Sequence, residues 1–133
     1  MPRLNAIGLV VSSMGDSIEF YRHLGLEFPP NSENEGHVEF DLPGGVRVML
    51  DTEDMLRSFS DWTPPAGGGQ RTVLAYLCET PAEVDRVYHV LTSNGGTGIN
   101  APFDAPWSMR YATVADPDGI HLDLFAPQEN PSE

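Results

Sequence analysis

The residues of this chain that could do chemistry are mostly flat or acidic rather than nucleophilic. His37 stands in a stretch where Val38, Phe40 and Leu42 fall on one face of a strand and His37, Glu39 and Asp41 on the other. Its imidazole should point away from the packed side, offering a flat face plus one donor and one acceptor. A lone strand histidine is as a rule structural or simply exposed, so spacing alone leaves its role open. Trp107 sits in Ala-Pro-Trp-Ser just ahead of a strand. Indole is costly to leave wet and presents a broad face to π-systems and cations, although closing the rim of a core is the competing role. Trp62, beside a Pro- and Gly-rich stretch, reads equally as a flap over a binding site or as a subunit contact. Met49, Tyr111 and Thr113 should line an open face if Val48, Leu50, Ala112 and Val114 pack against helices. Methionine makes an adaptable wall for an irregular ligand, and core packing is its default use.

Other chemistries are excluded by what is missing. The seven cations are all arginine, so there is neither a Schiff-base lysine nor the lysine of a phosphate-binding loop. Cys78 ends an apolar strand with no base beside it in sequence and reads as an inert buried thiol. No Gly-rich phosphate loop, serine nucleophile elbow or Cys–His constellation is present. Twenty Asp and Glu against those seven arginines give a formal charge of −13, which repels nucleic acid and favours a basic or neutral small molecule. Solubility alone would also account for it. A single cysteine, no apolar run near ~20 residues and no signal-peptide core lead to the expectation of a soluble cytoplasmic domain without membrane contact.

The elements that must position these residues repeat along the chain. Residues 5–11 (NAIGLVV) read as a buried strand, and Ser13-Met14-Gly15-Asp16 as a capping box opening a helix that carries Met14, Ile18, Tyr21 and Leu24. Gly25 is placed to end it. The alternating strand at 37–42, the turn Pro43-Gly44-Gly45 and a second strand with Val46, Val48 and Leu50 follow. After a loop at 63–70 the signals return. A strand spans 72–78, and Thr80-Pro81-Ala82-Glu83 caps a helix striped by Val84, Val87, Tyr88 and Leu91. Asn94-Gly95-Gly96 closes that helix, and strands at 111–115 and 120–125 are joined by Asp116-Pro117-Asp118-Gly119. The best account is one α+β domain of two similar βαβββ modules, at 4–60 and 71–127, with a linker at 61–70.

Residues 11–21 (VSSMGDSIEFY) and 116–125 (DPDGIHLDLF) resemble the two signature stretches of the vicinal oxygen chelate superfamily, which holds glyoxalases, extradiol dioxygenases and bleomycin-resistance-type binding proteins. The resemblance implies that each βαβββ module forms a curved sheet with a helix outside, and that the sheets make a cleft completed in a homodimer. Metal-dependent members place ligands at four strand positions. Carried over, these fall at or beside Ala6, Met49, Val73 and Asp123. Alkyl groups have no lone pair and thioether is soft, so three of the four suit no hard or borderline divalent ion. Asn5, Ile7 and Thr72 alongside are no better, and His121 with Asp123 makes only one pair. No metal or other cofactor is therefore expected, and a metal-dependent glyoxalase- or dioxygenase-like enzyme remains the alternative.

What is left resembles the mitomycin-resistance and enediyne self-resistance branch of the superfamily. The shared stretches are 17–25 (SIEFYRHLG), the His37 strand with its Gly-Gly turn, Asp51-Thr52, Arg57-Ser58, Trp62, Pro106-Trp107, Arg110-Tyr111-Ala112 and 116–127. That branch implies a non-catalytic antibiotic-binding protein that sequesters a planar, quinone-like drug in the dimer cleft. Its stacking histidine and tryptophan match His37 and Trp107. Ser108, where relatives often carry glycine, and the enlarged 31–36 region depart from the pattern and bear on which ligand fits.

Overall fold

A computed structural model describes residues 1, 3–65 and 72–129. The chain separates into two compact units, Met1–Gly67 and Gly68–Glu133, each with its own sheet. Part of the expected linker (residues 66–70), the first residue of the second module (Arg71) and the C-terminal residues 130–133 lie outside the described residues.

In the first unit β1 (Ala6–Val11) runs into α1 (Met14–Arg22) because Ser13, in extended conformation, takes the Asp16 amide on its hydroxyl at 3.2 Å. The exit is a Schellman turn. The Leu26 amide returns to the Tyr21 carbonyl at 3.2 Å, the Gly25 amide to that of Arg22 at 3.1 Å, and Gly25 sits at φ +86°. β2 (His37–Asp41) and β3 (Arg47–Thr52) complete a sheet in the order β1-β3-β2, with β3 parallel to β1 and antiparallel to β2. Leu9, Val11, Val38, Val48 and Leu50 bury one face with Phe20 and Tyr21 of α1, whose rings meet edge to face at 5.1 Å.

This sheet has three strands among the described residues, not the four of a full βαβββ module. Between α1 and β2 lie Pro29 and Pro30, which cannot donate to a ladder, then Asn31 at φ +66° and a 3₁₀ turn, Ser32–Asn34. A short helix unread in the sequence, α2 (Glu53–Arg57), follows β3. Thr52 caps it by accepting the Met55 amide at 3.1 Å, and Glu53 and Asp54 fill its first turn.

The second unit is the complete module: β4 (Val73–Leu77), α3 (Pro81–Thr92), β5 (Thr97–Ala105), β6 (Met109–Ala115) and β7 (His121–Pro127). Its sheet runs β4-β7-β6-β5, with β4 parallel to β7 and the other pairs antiparallel. Thr80 caps α3 through the Glu83 amide at 3.1 Å, while the Glu83 carboxylate reaches one residue further back than a capping box requires, to the Glu79 amide at 2.8 Å. Val84 and Leu91 are fully buried against Ala112, Val114, Leu122 and Leu124. Gly98 of β5 passes directly under α3, where an added Cβ would lie 2.1 Å from the Tyr88 hydroxyl. The β6–β7 turn is held by Asp116, whose Oδ1 accepts the amides of Asp118 and Ile120 at 2.9 Å each. Among the described residues no helix is long and apolar enough to cross a membrane.

Candidate functional site

Strand alternation decides which side chains of the second unit stay available. On β6 and β7, Ala112, Val114, Leu122, Leu124 and Ala126 turn to the buried face, and Tyr111, Thr113, His121, Asp123 and Phe125 to the opposite one. Phe103 of β5 pairs with Tyr111 and so joins the second set. There Trp107 meets Tyr111 edge to face at 5.4 Å and Phe103 at 6.3 Å, and Phe103 meets Tyr111 at 6.1 Å. These are favourable aromatic geometries, yet Trp107 stays 52% exposed. It is not a residue closing the core.

A three-residue hairpin loop holds the indole in place. Ala105 pairs with Met109, leaving Pro106, Trp107 and Ser108 to turn the chain, and the Ser108 amide closes the turn on the Ala105 carbonyl at 3.1 Å. Ser108 sits at φ +64°, in the left-handed region, which costs a non-glycine residue about 1–2 kcal/mol. The sequence departure at Ser108 therefore falls on the residue that sets the indole's position.

The second unit also has a concavity of about 360 Å³ lined by Thr72, Val73, Ile99, Asn100, Thr113, His121 and Asp123, which the three rings do not line. Its carboxylate is held by hydroxyls. Thr113 Oγ1 donates to Asp123 Oδ1 at 2.9 Å and the Tyr111 hydroxyl donates to Oδ2. Burial, and then the Asp123 carboxylate, push the Tyr111 phenol up to about 12, so it remains a donor at neutral pH.

On the first sheet the face opposite the core carries a polar row. Register places His37 against Asp51 and Glu39 against Met49. His37 Nδ1 lies 2.6 Å from Asp51 Oδ1 and Nε2 lies 2.8 Å from Glu39 Oε2. Glu39 also pairs with Arg47 at 2.7 Å, and Arg47 donates to Asn5 at 2.9 Å. The free donor and acceptor expected of His37 are thus a correction: both ring nitrogens face carboxylates, and only the ring's flat face is left for a ligand. Hydrogen bonds to Glu39 and then Asp51 raise its pKa above the ordinary imidazole value.

A pH dependence follows from this geometry. The charged ring donates to both carboxylates, whereas a neutral ring must turn a lone pair toward one of them. The stabilisation is therefore complete below about pH 6.5, the unfolded value, and is lost as pH rises through the higher folded value. Proton NMR titration of His37 should give an apparent pKa above that of a histidine in an unfolded peptide. Glu39→Gln should lower it.

The remaining candidates divide. Met49 shares the polar face of the first sheet with His37, half-buried, and its methyl lies 3.6 Å from where a Gly8 Cβ would be. Trp62 is half-buried with the Arg57 guanidinium 5.6 Å from its ring centroid, an intra-unit cation–π contact that occupies one ring face. Cys78 is buried, and burial followed by the Glu83 charge pushes its thiol up, consistent with an inert role. Phe103, Ile99 and Asn100 went unrecognised in sequence because β5 contains Gly98 and Pro102 and breaks register twice, masking its alternation. The signal that could have found them is Pro106-Trp107 read as a hairpin turn, which requires a preceding strand.

The donor set at the superfamily's metal positions does not fit a metal ion. Ala6, Met49 and Val73 contribute no hard donor, and Asp123 already accepts two hydroxyls. Among the described residues no group of three or more His, Cys, Asp or Glu gathers as metal ligands.

Comparisons place this architecture. The family model of the Glyoxalase/Bleomycin resistance protein/Dioxygenase superfamily matches residues 3–124. No curated protein matches the sequence. Among solved structures, a glyoxalase-related enzyme from Fulvimarina pelagi is similar with a TM-score of 0.77 at 18% identity, over 95% of this chain and 88% of that one. A glyoxalase/bleomycin resistance protein/dioxygenase family enzyme from Burkholderia phytofirmans gives 0.75 at 17% identity, over 95% and 99%. A glyoxalase/bleomycin resistance protein/dioxygenase from Nocardioides gives 0.72 at 25% identity, over 99% and 87%. With the family model spanning nearly its whole length and a complete βαβββ module in its second half, the chain belongs to the glyoxalase/bleomycin resistance protein/dioxygenase superfamily.

Proposed function

We propose that this protein binds a planar, quinone-like antibiotic and protects its host by sequestering it, without chemical turnover. The observation that carries this reading is the half-exposed Trp107, braced by Phe103 and by Tyr111, whose hydroxyl reaches Asp123 in the lining of the 360 Å³ concavity. A tryptophan held rigidly but left wet is a stacking surface already organised for a flat partner. Each stacking face contributes ~1–3 kcal/mol by analogy with base stacking, so two faces supply part of the ~8 kcal/mol of micromolar affinity and apolar walls must supply the rest. The flat face of His37 is the second stacking candidate, and Met49, Trp62, Tyr111 and Thr113 are the remaining proposed ligand contacts. Binding rather than catalysis is supported by the residues at the superfamily's metal positions, where Ala6, Met49 and Val73 carry no hard donor.

The test is titration of mitomycin C and simple anthraquinones against tryptophan fluorescence, with recovery of the compound afterwards. Saturable quenching with unchanged compound is expected. A stoichiometric divalent ion that survives dialysis, together with methylglyoxal–glutathione or catechol turnover, would replace this reading with an enzymatic one.

The protein is further proposed to work as a cytoplasmic homodimer. Leu77 of the edge strand β4 is 68% exposed, and Val73, Ile99 and Phe103 are exposed with it, a cost that a second copy would remove. Light scattering at micromolar concentration should give twice the chain mass. A value near 14.6 kDa would sink the dimer.

A further inference from the structure

We infer that the concavity on the open face of the second sheet selects ligands carrying a protonated amine on their planar body, with Asp123 as the counter-ion. This rests on the planar-ligand reading above and specifies which planar ligands fit.

Asp123 carries a charge that no cation among the described residues pairs. Asp123 is half-buried, lines the concavity and accepts one hydroxyl on each oxygen, from Thr113 and Tyr111. A carboxylate has about four acceptor sites, so about half of its capacity remains on the side facing the space. Hydroxyl donors orient the group but leave its charge intact. Five arginines are engaged elsewhere: Arg22 with Glu19, Arg47 with Glu39, Arg57 with Glu53 and Asp54, Arg86 with Glu83, and Arg110 with Asp85 and Asp104; Arg3 belongs to the first unit and Arg71 lies outside the described residues. No lysine exists, and among the described residues no ion pair joins Asp123 to an arginine or to His121. A charge drawn partly out of water is costly until a partner arrives, and a cationic group on the ligand would supply one.

The surroundings say what kind of partner. Tyr111 belongs both to the hydroxyl clamp on Asp123 and to the ring cluster with Phe103 and Trp107, so a fused-ring amine can reach the carboxylate and the rings together. An ammonium placed at Asp123 would donate to its open lone pairs, and the attached ring system would lie toward Tyr111 and Trp107, whose faces also favour cations. Val73 and Ile99 supply the apolar wall and Asn100 a further hydrogen-bonding group.

Two dyes with the same tricyclic body isolate the inference: 9-aminoacridine, a cation at neutral pH, and acridone, which is neutral. Fluorescence titration at physiological ionic strength should show 9-aminoacridine bound at least about tenfold more tightly by the wild-type protein. Asp123→Asn should bring it down to the acridone level and leave acridone unchanged. Glu27→Gln, which removes one charge from an exposed position, should keep the preference, because one unit among the chain's net −13 barely alters the overall field. Asp123→Ser, which also removes the charge, should abolish the preference in the same way, so the inference stays testable if Asp123→Asn misfolds in a thermal melt. A preference that survives Asp123→Asn or Asp123→Ser, or that falls equally in Glu27→Gln, overturns it. Equal wild-type binding of both dyes overturns this inference while the planar-ligand reading stands. Binding of neither overturns both.

Discussion

Trp107→Ala is expected to weaken binding of a planar ligand by about tenfold or more, with little change in melting temperature. The size comes from the ~1–3 kcal/mol that one aromatic stacking face contributes. The small stability effect follows from position: the indole sits on a hairpin loop, half exposed, and touches Phe103 and Tyr111 only edge to face. Removing it leaves the buried side of the sheet intact. Parallel fluorescence-independent titration, by calorimetry, is needed because the substitution deletes the main reporter. Unfolding of the variant with undiminished affinity in its folded fraction would make Trp107 a packing residue and move the site elsewhere. His37→Ala should do similar but smaller damage. His37→Phe should retain much of the affinity, since both ring nitrogens are already committed to Asp51 and Glu39 and only the flat face is offered.

Leu124→Ala is expected to do the opposite, costing ~2–5 kcal/mol of stability while each folded molecule binds as before. Leu124 is fully buried in β7, between β4 and β6, paired with Tyr76 and Ala112 on the face covered by α3. Its neighbours in sequence, Asp123 and Phe125, point the other way. Truncation opens a cavity that a close-packed sheet–helix interface cannot fill, so the urea midpoint should fall with the slope unchanged. Loss of ligand affinity at full folding would show that the two faces are coupled through β7, contrary to the alternation argument. A cost under ~1 kcal/mol would mean that the interface collapses easily onto the gap. The two substitutions together separate the binding face from the packing face of a single sheet.

Local pattern in the sequence was enough for the two longer helices and for most of the strand faces. Ser13 and Thr80 cap α1 and α3 where expected, Gly25 ends α1 in the left-handed conformation, and the alternation along β2, β3 and β7 divides the core face from the other, whereas on β6 Thr113, expected on an open face, is itself buried. These features depend on neighbours within about four residues, so composition and spacing reveal them. The α+β class and the superfamily followed from the same stretches. The third dimension decided the rest. β5 was hidden by its glycine, proline and register breaks, and α2 by being only five residues long. Prolines and a left-handed asparagine withheld a fourth strand from the first sheet. The roles of the polar residues were least legible of all. His37 is held by Asp51 across β2 and β3, Asp123 is clamped by hydroxyls from β6, and Trp62 lies under Arg57 of α2. Each of these pairings is set by how one element aligns with another, and a cross-strand or helix–loop contact leaves no trace in the periodicity of either partner alone.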